Sequence, residues 1–486
     1  MRILFATPEM APFSRTGGLA DVASGLPAAL AARGHEIYVI TPRYRRIDVA
    51  TYDLRRKRFR LSLTVKGKTV HGGILEGLSP GGVPVLFVDQ PALFEREGIY
   101  GQNGKDYPDN DERFAFFCRS VLETCQQMSF SPDVIHCNDW QTGPVAPLLQ
   151  CEYRDKPEVN KTGTVFTIHD LGFMGLFPPD AMMTLGLSWS LFTPSTMEFF
   201  GKTSFIKAGL VFADRLTTVS PTYAQEILTP AYSHGLSGLM AERASDLRGI
   251  LNGVDYRVWD PRSDPNLTSS YSPDDLAGKT VCKSDLQQHL GLPLMHDHPL
   301  VCCTSQMTAQ KGIDLFLEAA DDMLGLQCQY AFAGRGDPDI ERELSRLADR
   351  SPHRFAYVKE CDEAMVHRLI AGADMVLEPS RHEPSGLAQM QAMRYGAVPV
   401  VRATGGLADT VEDASEADEE ASGFKFGPAS GQAMVAALRR ALVCFQDRIR
   451  WRRLTKTAMS IEFSWDLAAR RYEAVYRQVS ALRRPE

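Results

Sequence analysis

Eleven short runs of β-forming residues, apolar on both faces, recur along this chain with helical stretches between them. RILFAT, EIYVIT, VPVLFV, DVIHCN, TVFTIH and RLTTVS come from the first half. PLVCCT, QYAFAG, RFAYV, DMVLEP and AVPVV come from the second. A strand buried on both faces belongs to a parallel sheet covered by its own crossover helices. The pattern predicts an α/β protein. There are too many strands for one Rossmann sheet, and the two groups break near GILNGVD (Gly249 to Asp255). Two doubly wound domains are therefore expected. An eight-stranded α/β barrel is the competing architecture, against which the length of 486 residues and the mid-chain break both weigh.

Composition narrows the function. A net charge of −7 argues against nucleic acid or an anionic membrane as the main partner, so any bound anion must be captured by a local cluster of cations. Met1 runs straight into RILFAT, with no signal-like segment, and no apolar stretch is long enough to span a bilayer. The ten cysteines are scattered without a CxxC, the usage of a reduced, cytoplasmic protein. His296-Asp-His298 reads as a polar loop, and acidic Glu412 to Gly423 as a solvated one. Gly72-Gly73 and Gly81-Gly82 flank stretches expected to form an antiparallel excursion. The last segment is an amphipathic helix with Leu467, Tyr472, Val475, Tyr476 and Val479 on one side.

The hexapeptide TGGLAD occurs twice, at Thr16–Asp21 and at Thr404–Asp409, each time after a strand and at the start of a helix. A glycine pair there lets the backbone turn sharply and aim N–H groups at an anion, which the helix dipole also favours. One copy alone reads equally well as a tight connection. Two copies, one per domain, point to a phosphate-bearing substrate held between two sheets.

Four further places carry chemistry. In SQMTAQKG, Lys311 heads a helix after a strand and suits a diphosphate; the alternative is a snorkelling surface lysine. GRGDP (Gly334 to Pro338) could bring backbone near a base or ribose, but it lacks the third glycine of a dinucleotide fingerprint. His169 ends the strand of FTIHDLGFMG, where open α/β sheets present ligand groups, although such a histidine can be structural. In EPSRHEPSGLAQ, Glu383 lies in a polar loop where a carboxylate can accept sugar hydroxyls or steady developing positive charge. Arg381 is its alternative, purely structural, partner. No acidic pair at a strand end reads as a metal site. The charge of a departing diphosphate would then be met by cations and helix dipoles.

Together these motifs resemble those of the bacterial glycogen synthases, ADP-glucose-dependent enzymes close to plant starch synthases. The likeness runs through TGGLADV, YPDNDERFAFF, HCNDWQTG, FTIHDLGFMG, FIKAGLVFADRLTTVSPTYAQEI, GILNGVD, PSRHEPSGL and ATGGLADTV. The resemblance implies a GT-B fold of two Rossmann-like domains, residues 1–248 and 249–460, with a terminal helix, 461–486, returning to the first. It implies retaining transfer of glucose from ADP-glucose to the non-reducing end of an α-1,4-glucan, without metal or cofactor. By motif, His169 and Glu383 would contact the transferred glucose and Lys311 the diphosphate. Asp21 would lie near the nucleotide, with Asp139 and Asn252 lining the cleft. Gly17, Gly18, Thr404, Gly405 and Gly406 would bring backbone toward phosphate and sugar.

Two residues depart from the family pattern. Arg15 precedes the first TGGL where the family has lysine, exchanging an ammonium for a planar guanidinium. Gln306 stands where the family's SRxTxQKG has arginine. By analogy with one lost oxyanion donor, that absence costs roughly 3 kcal/mol, about a hundredfold in rate. Arg335, at a position usually small, is a candidate to restore the charge. Alternatives to an active synthase are a weakened paralogue that binds glucan or nucleotide, and a glucosyltransferase with another donor.

Overall fold

The computed structural model describes residues 1–415 and 419–483. They form two compact units. The first comprises Met1–Gly253 and the segment from Trp465 onward; the second is Val254–Ser464.

Unit 1 is built on a nine-stranded sheet. Its strands are β1 (Arg2–Ala6), β2 (Glu36–Pro42), β3 (Arg55–Val65), β4 (Lys68–Leu78), β5 (Pro84–Asp89), β6 (Val134–Asn138), β7 (Gly163–Ile168), β8 (Arg215–Thr218) and β9 (Leu247–Gly249). Their spatial order is β9-β8-β7-β6-β1-β2-β5-β4-β3, and all pairs are parallel except β5–β4 and β4–β3. The antiparallel pair is the excursion expected from the glycine pairs, with one difference. Gly72 and Gly73 lie inside β4, where a Cβ on Gly72 would come within 2.7 Å of the Phe116 ring.

Unit 2 carries six parallel strands: β10 (Leu300–Thr304), β11 (Gln329–Ala333), β12 (Phe355–Val358), β13 (Met375–Glu378), β14 (Val398–Arg402) and β15 (Phe424–Phe426). The order β12-β11-β10-β13-β14-β15 is that of a doubly wound nucleotide-binding sheet. Alternate residues on these strands enter different cores. Val301, Cys303, Tyr330, Phe332 and Leu377 join one, while Cys302, Ala331, Val376 and Val401 join the other. The adjacent Cys302 and Cys303 thus point to opposite faces. All ten cysteines are free thiols.

The terminal helix, Trp465–Arg483, packs into the core of unit 1. Tyr472, Val475, Tyr476 and Val479 are buried there; Leu467, expected on the same side, is 42% exposed. The apolar stripe is instead completed by Trp465, Ala468 and Ala469. Tyr476 reaches His136 on β6 at 2.7 Å, and Arg33 binds both Glu473 (2.5 Å) and Asp466 (2.9 Å). Trp465 sits so close to the helix Leu19–Ala32 that a Cβ on Gly25 would lie 2.1 Å from its indole nitrogen.

Of the acidic segment, 416–418 fall outside the described residues. Asp413 at its start is not solvated. It is 3% exposed and bound by Arg440 at 2.9 Å, because it closes the loop before β15. Among the described residues no helix is long and apolar enough to cross a membrane.

Candidate active site

In an open parallel sheet the loops after two neighbouring strands part to opposite sides where the strand order reverses, leaving a crevice at their carboxyl ends. In unit 1 that point lies between β1 and β6; in unit 2 it lies between β10 and β13. Arg15, Gly17, Gly18 and Asp139 follow β1 and β6, and Gln306, Lys311 and Glu383 follow β10 and β13; His169, Asn252, Arg335 and Thr404 to Gly406 instead follow the strands β7, β9, β11 and β14.

In unit 1, β1 leads through residues 7–18 to the helix that begins at Leu19. The first TGGLAD copy ends this loop. Buried Glu9 organises it, accepting the Thr16 N–H, the Thr16 hydroxyl at 2.6 Å and the Tyr100 hydroxyl at 2.5 Å. Gly17 and Gly18 are exposed, with space around Gly17. Arg15 binds Asp21 at 2.8 Å, so the two sequence candidates meet in one ion pair.

On the other side of the reversal, Asp139 follows β6 with φ 56° and ψ −179°. That backbone region is almost exclusive to glycine and costs on the order of 1–3 kcal/mol. Hydrogen bonds hold it there. Asp139 N–H donates to Thr167 O at 3.0 Å, and its Oδ1 accepts the His169 N–H at 2.8 Å. Burial pushes the Asp139 carboxyl up to about 8, so it is largely the neutral acid near pH 7.

His169 is oriented by Asn138. The Asn138 amide donates to Ala6 O at 3.0 Å, which leaves its oxygen to accept from His169 Nε2 at 2.9 Å. The Nε2 nitrogen therefore carries the proton and Nδ1 is an acceptor. Burial lowers the His169 pKa to about 3, so the ring is neutral. Asn252 is buried just beyond β9.

In unit 2 the loops after β10 and β13 interlock at the reversal. Lys311, after β10, binds Glu383, after β13, at 2.5 Å. Glu383 Oε1 also accepts the Gly386 N–H at 3.1 Å, and Ser380 Oγ lies 3.4 Å from Oε2. Arg381 does not pair with Glu383: it binds Asp314 and, at 2.7 Å, the Ala309 carbonyl, tying the two loops together. Gly312 has φ 73°, and a Cβ there would lie 2.1 Å from Pro379 O.

The second TGGLAD copy differs from the first. Gly405 and Gly406 are buried, and the Gly406 N–H, expected to face a ligand, is taken by Glu383 O at 3.1 Å. A Cβ on Gly405 (φ 43°) would lie 2.1 Å from Glu383 O, and one on Gly406 would lie 1.8 Å from Ser385 O. This glycine pair lets the Glu383 loop rest directly on the helix start that follows Thr404.

Gln306 is exposed. GRGDP lies against its loop, with Met307 N–H donating to Arg335 O at 3.0 Å and a Cβ on Gly336 coming 2.2 Å from Met307 O. The Arg335 guanidinium turns outward to Glu360.

Glu9 and Asn138 support the candidate residues without having been named by motif reading, and Arg381, read as a partner of Glu383, binds elsewhere. Asn138 stands beside Asp139 in HCND, but only the fold shows that it sets the imidazole tautomer.

Two Rossmann-ordered units, each with charged and glycine-rich loops at its strand reversal, define a glycosyltransferase of the GT-B class. The family model for glycosyl transferases group 1 matches residues 288–457. Sucrose-phosphate synthase from Thermosynechococcus elongatus, 18% identical, shares the fold with a TM-score of 0.60 over 99% of both chains. The model for the starch synthase catalytic domain matches residues 2–242. The glycogen synthase of Anaeromyxobacter dehalogenans (strain 2CP-C) is 47% identical over 481 residues, 99% of this chain and 100% of that one. Glycogen synthase 2 of Geobacter sulfurreducens is 42% identical over 484 residues, covering all of both chains. The catalytic domain of starch synthase IV from Arabidopsis thaliana, bound to ADP and acarbose, is 34% identical with a TM-score of 0.91 over 99% of both. The chain belongs to the glycogen synthase family.

Proposed function

We propose that this protein transfers glucose from ADP-glucose to the non-reducing end of an α-1,4-glucan, with retention at the anomeric carbon. The observation that carries the reading is the Lys311–Glu383 pair at the strand reversal of unit 2. An anionic diphosphate at this point draws the lysine from its carboxylate. Glu383 is then free to accept sugar hydroxyls and to oppose the positive charge that develops at the anomeric carbon. The ADP in the Arabidopsis relative supports an adenine nucleotide as donor, and its acarbose supports a glucan acceptor.

The residues of unit 1 take complementary roles. A neutral His169 with Nδ1 as acceptor suits a hydroxyl of the transferred glucose, and Gly17 and Gly18 leave backbone N–H groups accessible to phosphate oxygens. In unit 2, Lys311 supplies cationic charge for the leaving diphosphate, and no metal or other cofactor enters the scheme. Exposed Gln306 favours a slower variant of the same activity, because Arg335 is turned to Glu360.

The test is ADP release from ADP-glucose with glycogen as acceptor, beside a UDP-glucose control. Preference for ADP-glucose and growth of the glucan support the reading. Preference for UDP-glucose, or release without glucan growth, contradicts it.

A further inference from the structure

Glu378 is the last residue of β13, at the strand reversal, yet it is 3% exposed. Among the described residues no donor meets its Oε1, which is sealed from solvent. A carboxylate in such a place, unpaired, costs several kcal/mol, so the group persists as the neutral acid. Burial comes first among the causes, followed by the negative charge of Glu383, with Lys311 opposing; together they push it up to about 8.

The helix Leu387–Arg394, which packs on β13, carries its charge at Arg394, and that guanidinium binds Asp260 at 2.6 Å. From the loop after β13, Glu383 acts on Glu378; from the loop after β10, Lys311 does. From β10 itself comes Cys303, a thiol that burial holds well above its usual range and therefore neutral. From β14 comes apolar Val401, in register with Glu378. The next residue, Arg402, spends its guanidinium on the carbonyls of Arg381 (2.8 Å), Gly427 (3.1 Å) and Ser380 (3.4 Å). The charges that reach Glu378 are thus those of the Lys311–Glu383 pair, whose sum is zero. Ionisation of Glu378 makes the cluster negative beneath a lysine needed for an anion.

We propose that Glu378 is a positioning residue for the donor diphosphate, acting through Lys311: as the neutral acid it leaves the lysine's charge to the diphosphate, and once ionised it competes for that charge and repels the donor. The inference rests on the reading of Lys311 as the diphosphate ligand. No covalent step is involved, only loss of one proton to solvent.

The experiment measures kcat/KM for ADP-glucose, and ADP affinity by calorimetry, between pH 6.5 and 9.5 in the wild type and in Glu378→Gln. Both quantities in the wild type fall about tenfold per pH unit once the acid ionises. The change falls on KM more than on kcat. In Glu378→Gln the alkaline fall is absent or displaced upward by at least one pH unit. Glu378→Met, apolar and unbranched, behaves likewise and guards against a folding defect peculiar to the amide. An alkaline limb identical in all three proteins overturns the inference. A wild type that binds ADP with this pH profile but does not turn over ADP-glucose overturns the functional reading and leaves the role of Glu378 standing. A wild type that binds no ADP overturns both.

Discussion

Gln306 and Arg335 show how little a side chain's charge says without its partner. Gln306 stands where the SRxTxQKG pattern supplies a cation and Arg335 was the candidate to restore it, and their loops are indeed joined by the Met307–Arg335 backbone bond. The guanidinium nonetheless turns to Glu360, and both members of that pair are exposed, which makes it a weak surface contact. Gln306→Arg should therefore raise turnover with ADP-glucose about tenfold, part of the roughly hundredfold estimated for the missing cation. Arg335→Ala should change it less than about twofold. Steady-state kinetics on the two variants decide, and a sharp loss from Arg335→Ala with no gain from Gln306→Arg would reverse the assignment. Histidine protonation belongs to this scale too. Burial lowers both His136 and His169 to about 3. Unfolded histidines take up protons below about 6.5. The unfolded state then binds more protons than the folded one, and stability falls as pH drops from 6.5 toward 3, by about 2 kcal/mol per histidine at pH 5. His136→Gln should lower stability near pH 7, where its bonds to Tyr476 and Thr167 are lost. It should also flatten the decline between pH 6.5 and 5 by about one proton's worth. Denaturant midpoints across that range measure the slope, and equal slopes contradict the account.

At the scale of elements, legibility followed burial. The eleven strands read from the sequence are apolar on both faces, and each appears in the sheets. The two parallel strands not read, β9 and β15, are three residues long and lie at sheet edges, too short to show a period. The repeated TGGLAD was legible as a loop-to-helix start, but its two environments were not. Glu9 and a twelve-residue connection, residues 7–18, leave Gly17 and Gly18 exposed in the first copy. In the second, the Glu383 loop, which leaves the neighbouring strand β13, folds back and buries the glycines. Contacts between segments far apart in sequence decide such differences, and no local pattern encodes them. Leu467 illustrates the same limit, because a helical wheel fixes a stripe only to within a residue or so, and Trp465, Ala468 and Ala469 hold the buried side. The glycine opposite Trp465 gives a direct test of that docking. Gly25→Val should destabilise unit 1 by about 2–4 kcal/mol, since its Cβ would overlap the indole and neither helix can withdraw without opening the core. Unchanged thermal unfolding of the variant would mean that the terminal helix is not held as described.

For the whole molecule, the two units repeat one plan. Each is a largely parallel sheet with part of its candidate set on the loops at the reversal of strand order. The family and the fold class were legible because their signals lie in contiguous motifs, which also hold the candidates Lys311, Glu383 and His169. The Lys311–Glu383 contact was not, since 72 residues separate its members. Cationic side chains at both reversals lead to the expectation that transfer proceeds in excess EDTA at an undiminished rate. Activity lost on chelation and restored by magnesium or manganese would oppose it. The central claim is that glucosyl transfer takes place at the unit 2 reversal, with Glu383 serving the sugar and Lys311 the diphosphate. The most direct measurement compares Glu383→Ala with the wild type in turnover of ADP-glucose and in ADP affinity. Turnover should fall by roughly a hundredfold or more. ADP affinity should hold or tighten, because the variant releases Lys311 from its carboxylate. Parallel losses of turnover and ADP affinity would place Glu383 on the nucleotide or in the fold, and would contradict the account.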